Sequence, residues 1–145
     1  MRAHRIKGSV CRILILKTAM RFAAWACIMA IAVLSLIPSE QIAQSGLNSG
    51  LNGHVAHVLA YAGTAFLTAT AYGERGLYRV ISVLFAYAGA MEFLQRFSPG
   101  RTSRFEDYMF SGAGVLVGVG ALVLLKKLFS NPSAPSRSAG PRISN

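Results

Sequence analysis

Charged residues are scarce in this chain, and their scarcity argues against an ordinary soluble domain. Only 14% of its 145 residues are charged and 53% are hydrophobic, whereas roughly a quarter of a typical soluble domain is charged. The charges that are present lie at the ends of apolar segments rather than between apolar residues. This composition predicts a membrane protein.

Cysteine is equally scarce, with two residues and no CxxC motif. We expect Cys11 on the cytoplasmic side of the membrane and Cys27 within it, so a disulfide between them is not expected. The paired Cys and His spacing of a zinc site is missing from the sequence. Two histidines and two carboxylates are the remaining candidate ligands: His54, His57, Glu92 and Asp107. Their spacing does not demand a metal, so we predict no metal site and no other cofactor.

The net charge of +10 raises nucleic acid as a partner. The basic residues, however, flank apolar runs, a placement that suits anionic lipid head groups and membrane topology. We therefore expect membrane lipids as partners and no nucleic acid. The sequence does not indicate an oligomeric state.

Four long apolar runs are present: Phe22–Ile37, Val55–Tyr72, Leu77–Phe97 and Tyr108–Leu125. Each is close to the ~20 residues that a helix needs to cross ~30 Å of hydrocarbon. The sequence therefore predicts an all-α, polytopic membrane protein with four transmembrane helices. Gly114 and Gly118 form a GxxxG pair in the fourth run, and we expect them to serve helix packing within the bundle.

The Lys and Arg residues predict the orientation of the bundle. Twelve of the fifteen lie before the first run, around the second connection or after the fourth run, and the first connection at 39–53 has none. By the positive-inside rule, both termini are cytoplasmic and the third connection is outside. The three remaining residues, Arg96, Arg101 and Arg104, oppose this rule, so we expect a role for them beyond topology.

These patterns divide the chain into three parts. Residues 1–19 form a basic cytoplasmic segment, 20–127 a four-helix membrane domain, and 128–145 a cytoplasmic tail rich in Ser, Pro and Gly that we predict to be disordered. Residues 1–45 also resemble a signal peptide with a cleavage site after Ala43-Gln44-Ser45, but the long basic region favours an uncleaved helix. Val10–Lys17 is too short to span and is an alternative interfacial helix.

A dense polar cluster lies around the third connection: Glu92, Gln95, Arg101, Arg104 and Asp107. A charged group at bilayer depth costs about 2.5–3.5 kcal/mol on insertion scales, so it is rarely kept without a use. We therefore predict a functional site at the outer end of the bundle.

Two of the predicted helices carry polar residues three or four positions apart, which places each set on one helix face. The second run has His54, His57, Tyr61, Thr64 and Thr68, and the fourth has Arg104, Asp107, Ser111, Gly114 and Gly118. Glu92 and Gln95 likewise share a face of the third run, so we expect the polar faces of all three helices to point toward a shared interior. Tyr61, Thr64 and Thr68 then serve mainly to hold the bundle together. We expect Glu92, Arg101 and Asp107 to be kept for function.

These residues resemble the VanZ-like family of membrane proteins. The resemblance rests on one pattern in the third and fourth runs and on His57 and Tyr61 as an upstream His-x-x-x-Tyr motif. The pattern consists of Glu92, Gln95, Phe97, Pro99, Gly100, Arg101, Asp107, Gly114 and Gly118. Gly53 and His54 stand where that family commonly has Asp-Lys, and Ser111 where it commonly has asparagine. The resemblance implies a multi-pass protein of the bacterial inner membrane. Founding members are associated with resistance to glycopeptide antibiotics such as teicoplanin.

Two functions from different classes remain open. In the first, the site binds a cell-envelope lipid head group, a lipid-linked or glycopeptide-like ligand, or a partner protein, through Arg101, Arg104, Gln95, Glu92, Asp107, His57 and Tyr61. In the second, a membrane enzyme acts on a phosphorylated or lipid-linked envelope substrate. Arg101 and Arg104 would then clamp phosphate, while Glu92, Asp107 and His57 would transfer protons. No serine has a recognisable activating motif, and the Pro-Ser-Gly-His segment of lipid phosphatases is missing. We therefore favour the binder.

Overall fold

A computed structural model describes residues 2–44, 53–73, 76–101 and 103–129. Four long helices and one short helix make up the regular structure of these residues. They are α1 (Arg2–Leu36), α2 (Ser39–Gln44), α3 (Gly53–Tyr72), α4 (Leu77–Gln95) and α5 (Phe105–Phe129). The all-α prediction is confirmed for the described part of the chain.

Three of the four long helices are long and apolar enough to cross a membrane. These segments are Leu14–Leu36, Leu77–Gln95 and Phe105–Phe129. Most of their large apolar side chains point away from the bundle, as lipid contact requires. A membrane protein is thus confirmed at this level, while the fourth span, through α3, and the side on which the termini lie stay predictions.

Helix α1 unites two parts of the chain that the sequence analysis separated. It runs for 35 residues through the basic N-terminal segment and the first apolar run, so Val10–Lys17 belongs to this longer helix. It ends before Pro38, whose ring restricts the preceding residue and which lacks an N–H donor. The proposed cleavage site at Ser45 and the tail from residue 130 onward lie outside the described residues.

Two glycines shape the connections at opposite ends of the bundle. Gly73 ends α3 with a φ of 79°, and its N–H donates to the carbonyl of Ala69 at 2.9 Å. Gly100 has a φ of 72° and follows Pro99 in a turn closed by the Arg101 N–H and the Ser98 carbonyl at 3.2 Å. Proline and then glycine at the two central positions is typical of a type II turn, which needs a positive φ at the second of them.

Helices α3 and α5 run parallel and pack most closely of all the helix pairs. A Cβ at Gly114 would lie 2.5 Å from the carbonyl oxygen of Val58, and one at Gly118 would overlap the carbonyl oxygen of Ala62. Both glycines therefore face α3 within the bundle and allow the two backbones to approach. The apolar core around this contact includes Tyr61, Ala65, Ala69, Leu84, Val115 and Val119.

The four long helices α1, α3, α4 and α5 alternate in direction along the chain, so the bundle has two distinct ends. We call one the Glu92 end; it carries the C-termini of α1 and α4 and the N-termini of α3 and α5. We call the other the Arg79 end; it carries the C-terminus of α3 and the N-terminus of α4. All polar residues that the sequence analysis selected as ligand-binding candidates belong to the Glu92 half of the bundle.

Candidate functional site

Side chains of the turn between α4 and α5 cap the C-terminal end of α1. Arg101 donates from Nη2 to the carbonyl oxygen of Leu34 at 2.6 Å and from Nε to that of Ile37 at 3.3 Å. Ser98 Oγ donates to the carbonyl of Leu36 at 2.8 Å. The last carbonyls of a helix have no partner within that helix, so these donors satisfy them. Arg101 thus has a structural task in addition to any ligand contact.

Two histidines on α3 contact α5 one helical turn apart. His54 Nδ1 lies 3.1 Å from Asp107 Oδ1, and His57 Nδ1 lies 3.1 Å from Ser111 Oγ. His54 also stacks on Phe110, with ring centroids 4.3 Å apart. The polar faces of the two helices therefore meet, and the side chains join α3 to α5.

Nearer the C-terminus of α3, the threonine hydroxyls donate hydrogen bonds to backbone carbonyls of their own helix. Thr64 Oγ1 donates to the carbonyl of Ala60 at 2.8 Å, and Thr68 Oγ1 to that of Thr64 at 2.7 Å. Such bonds to the carbonyl four residues earlier satisfy a hydroxyl without a partner on another helix. Among the described residues, the hydrogen-bonding contacts between the polar faces of α3 and α5 are those near the Glu92 end.

Glu92 and Gln95 lie one turn apart on α4, in different environments. Gln95 is only 3% exposed. Glu92 is half-buried, and its Oε1 is buried with no hydrogen-bond donor among the described residues. A buried carboxylate oxygen without a donor is costly, and such an atom marks a place where a ligand or a proton can bind.

An open cleft of about 310 Å³ lies between α1, α3 and the end of α4. Four of the predicted site residues line it: His57, Tyr61, Gln95 and Arg101. The opposite wall is α1, through Ile31, Leu34 and Ser35. We call this space the Arg101 cleft. One cation, one imidazole, one phenol and one amide therefore face a wall that is mainly apolar.

The other predicted site residues lie outside the Arg101 cleft. Glu92 lines a neighbouring cleft of about 240 Å³ with Arg96, Ser103 and Tyr108. Asp107 contacts His54, whereas the side chain of Arg104 is exposed. No ion pair joins Glu92 to either Arg101 or Arg104 in the described part of the chain.

No group of three or more His, Cys, Asp or Glu side chains is arranged to hold a metal within the described ranges. The groups of the Arg101 cleft can instead donate hydrogen bonds. Arg101 is always charged and retains N–H groups beyond the two that bond to α1, so it can attract an anion. The cleft thus combines one cation and several hydrogen-bonding groups with an apolar wall.

Sequence reasoning missed the contribution of α1 to this site. The α1 residues that line the Arg101 cleft are apolar or small and belong to no motif. They line the cleft only because α1 packs against α3. The sequence did contain a signal for the His57–Ser111 contact, because polar residues recur every three or four positions on both α3 and α5. That signal identifies partners only once α3 and α5 are known to run parallel.

Comparison with known protein families identifies the family of this chain. A family model described as VanZ/LLP1 matches residues 10–126. This match covers α3 and α4 completely and most of α1 and α5. The chain therefore belongs to the VanZ/LLP1 family. No curated protein and no solved structure matches the chain significantly.

Proposed function

We propose that this member of the VanZ/LLP1 family crosses a bacterial cytoplasmic membrane four times, with both termini in the cytoplasm. The fourth span in this proposal is α3, whose 20 residues are long enough for ~30 Å of hydrocarbon. Helix α3 is not among the three helices that qualify as spans by length and composition, but its polar groups contact other helices or its own backbone. This arrangement supports a span because polar groups are tolerated in lipid only when they are satisfied within the protein.

The orientation rests on the basic residues. Twelve of the fifteen Lys and Arg residues belong to the Arg79 end or to the two terminal segments, and three belong to the Glu92 end. The positive-inside rule then puts the Arg79 end in the cytoplasm and the Glu92 end on the outer face. The Arg101 cleft would open toward the outer leaflet and the cell envelope.

The proposed activity is the binding of an envelope lipid, with its anionic head group against Arg101. The observation that carries this proposal is that His57, Tyr61, Gln95 and Arg101, from three separate segments, line one cleft with an apolar opposite wall. The donors suit phosphate oxygens, and Ile31 and Leu34 suit an acyl or isoprenoid chain. A glycopeptide-like ligand or a partner protein is the competing occupant, and the experiment below separates them.

The second candidate is an enzyme that acts on a phosphorylated or lipid-linked envelope substrate. The contact that favours it is His57 Nδ1 beside Ser111 Oγ at 3.1 Å. Against it, Ser111 is 3% exposed and does not line the Arg101 cleft, while Glu92 and Asp107 do not line it either. Glu92→Gln separates the two classes: an enzyme that uses Glu92 for proton transfer loses turnover and keeps its ligand. A binder has no turnover in either form.

Mass spectrometry of the lipids that copurify with the protein tests the binding proposal. We expect the wild type to retain an anionic envelope lipid at a level above its share of the membrane. Arg101→Gln and Tyr61→Phe should both reduce retention, and Tyr61→Phe does so without changing the shape of the cleft.

Arg104→Gln is the matched control, because Arg104 has the same charge, lies three residues away and does not line the cleft. It should retain the lipid at the wild-type level. An equal loss in Arg104→Gln, or a wild type whose lipids match the bulk membrane, would contradict lipid binding at this cleft. Retention of a peptide or protein instead of a lipid would favour the competing occupants.

A further inference from the structure

A second cleft of about 380 Å³ opens at the Arg79 end, where α1 lies against the end of α3 and the start of α4. Its floor is apolar and includes Ala24, Val80 and Leu84, which are buried in the bundle. The volume falls within the range of roughly 300–1,000 Å³ that is typical of small-molecule sites. Among the described residues, this cleft shares no lining residue with the Arg101 cleft.

The rim of this cleft combines aromatic and cationic side chains. Trp25 Nε1 donates to the Tyr72 hydroxyl at 3.3 Å, and the Arg21 guanidinium lies 5.4 Å from the centre of the Tyr72 ring. Arg79 lines the cleft beside them, and its side chain is exposed. Tryptophan and tyrosine favour the membrane–water interface, and arginine side chains reach from apolar surface toward lipid head groups.

The positive charge at the rim of this cleft indicates which class of molecule it would bind. None of the described residues that line the cleft is Asp or Glu, and neither Arg21 nor Arg79 forms an ion pair with a described carboxylate. Two cations above an apolar floor complement a molecule with a negatively charged head and a hydrocarbon chain. Basic pockets between transmembrane helices bind anionic head groups in this way.

We propose that the cleft at the Arg79 end is a binding site for one anionic phospholipid, with its phosphate against Arg21 and Arg79 and an acyl chain on the floor. The site is separate from the function proposed for the Arg101 cleft. It would let the protein sense or require anionic lipid in the leaflet at its basic end.

Trp25 makes this proposal directly measurable, because it is the single tryptophan of the chain and lines the cleft. The full chain is reconstituted in phosphatidylcholine vesicles that contain brominated phosphatidylglycerol or, in parallel, the same amount of brominated phosphatidylcholine. Bromine quenches tryptophan fluorescence on contact. We expect the anionic lipid to quench Trp25 at a clearly lower mole fraction, with about a fivefold preference contributed by each arginine.

Arg21→Gln with Arg79→Gln should remove most of this preference, whereas the matched control Arg96→Gln, at the Glu92 end, should keep it. Equal quenching of the wild type by the two lipids would mean an unselective lipid shell and would overturn the proposal; this comparison needs no variant. A preference that survives in the double variant would also overturn it. Arg101→Gln should leave the quenching of Trp25 unchanged. A loss of binding at the Arg101 cleft is therefore distinguishable from a loss of binding at the Arg79 end.

Discussion

Ser111 Oγ lies 3.1 Å from His57 Nδ1, and this contact joins α3 to α5 beside the Arg101 cleft, which His57 lines. The His54–Asp107 contact joins the same two helices one turn nearer their N-termini. The pairs hold His57 in a fixed position toward the cleft. Interhelical hydrogen bonds thus serve both the packing of the bundle and the placement of a candidate ligand-binding group.

We predict a measurable energetic coupling between His57 and Ser111. His57→Ala and Ser111→Ala should each lower the free energy of unfolding, and a double-mutant cycle should give an interaction energy of about 0.5–1.5 kcal/mol. Unfolding by SDS titration in mixed micelles provides the free energies. The control pair is His57→Ala with Thr70→Ala, which lie about 20 Å apart along α3. That pair should be additive, and additivity of the His57–Ser111 pair as well would show that the contact carries no energy.

The glycines of α5 should differ sharply in their tolerance of alanine. Gly118→Ala should destabilise the protein by about 1–3 kcal/mol, because the new Cβ meets the carbonyl oxygen of Ala62 and the backbones must move apart. Gly120 lies on the same helix with nothing within 4 Å of an added Cβ. Gly120→Ala is therefore expected to be neutral or stabilising in thermal unfolding. Similar losses for both variants would contradict the tight α3–α5 contact.

Arg101 and Arg104 should differ in their contributions to stability. Arg101→Gln leaves the carbonyls of Leu34 and Ile37 without their charged donor, so we expect a loss of about 1.5–3 kcal/mol. Arg104→Gln changes an exposed side chain and should shift the unfolding free energy by less than about 0.5 kcal/mol. Thermal unfolding in one detergent compares them. An unaffected Arg101→Gln variant would show that the turn does not hold the end of α1.

Much of the fold could be predicted from local features of the sequence. Apolar runs of helical length are local properties, and the three- and four-residue spacing on α3 and α5 revealed the faces that meet. The role of Arg101 could not be predicted in this way. Its partners are backbone carbonyls 64 and 67 residues earlier, and a carbonyl has no side-chain identity that a motif can record. Proximity in sequence suggested a shared site for Glu92 and Arg101, whereas the turn directs Arg101 toward α1.

The proposed topology predicts the activity of fused reporters. An enzyme that works only outside the cytoplasm should be active after Ser45 or Gly100 and inactive after Gly73 or at the C-terminus, because the basic residues hold the Arg79 end inside. Fusions of a reporter that works only in the cytoplasm should give the opposite pattern. An active external reporter at the C-terminus would refute both the four-span count and the orientation.

The most direct test of the account is photo-crosslinking from inside the Arg101 cleft. A photoreactive amino acid replaces Ala56, which lines the cleft, or Leu59, which lies one turn further along α3, is 57% exposed and does not line it. Lipids that are crosslinked in intact membranes are then identified by mass spectrometry. Lipid binding at the Arg101 cleft predicts that position 56 captures an anionic envelope lipid in excess over position 59, and that Arg101→Gln removes this excess. The same lipid composition at both positions, or an excess that Arg101→Gln leaves intact, would contradict it.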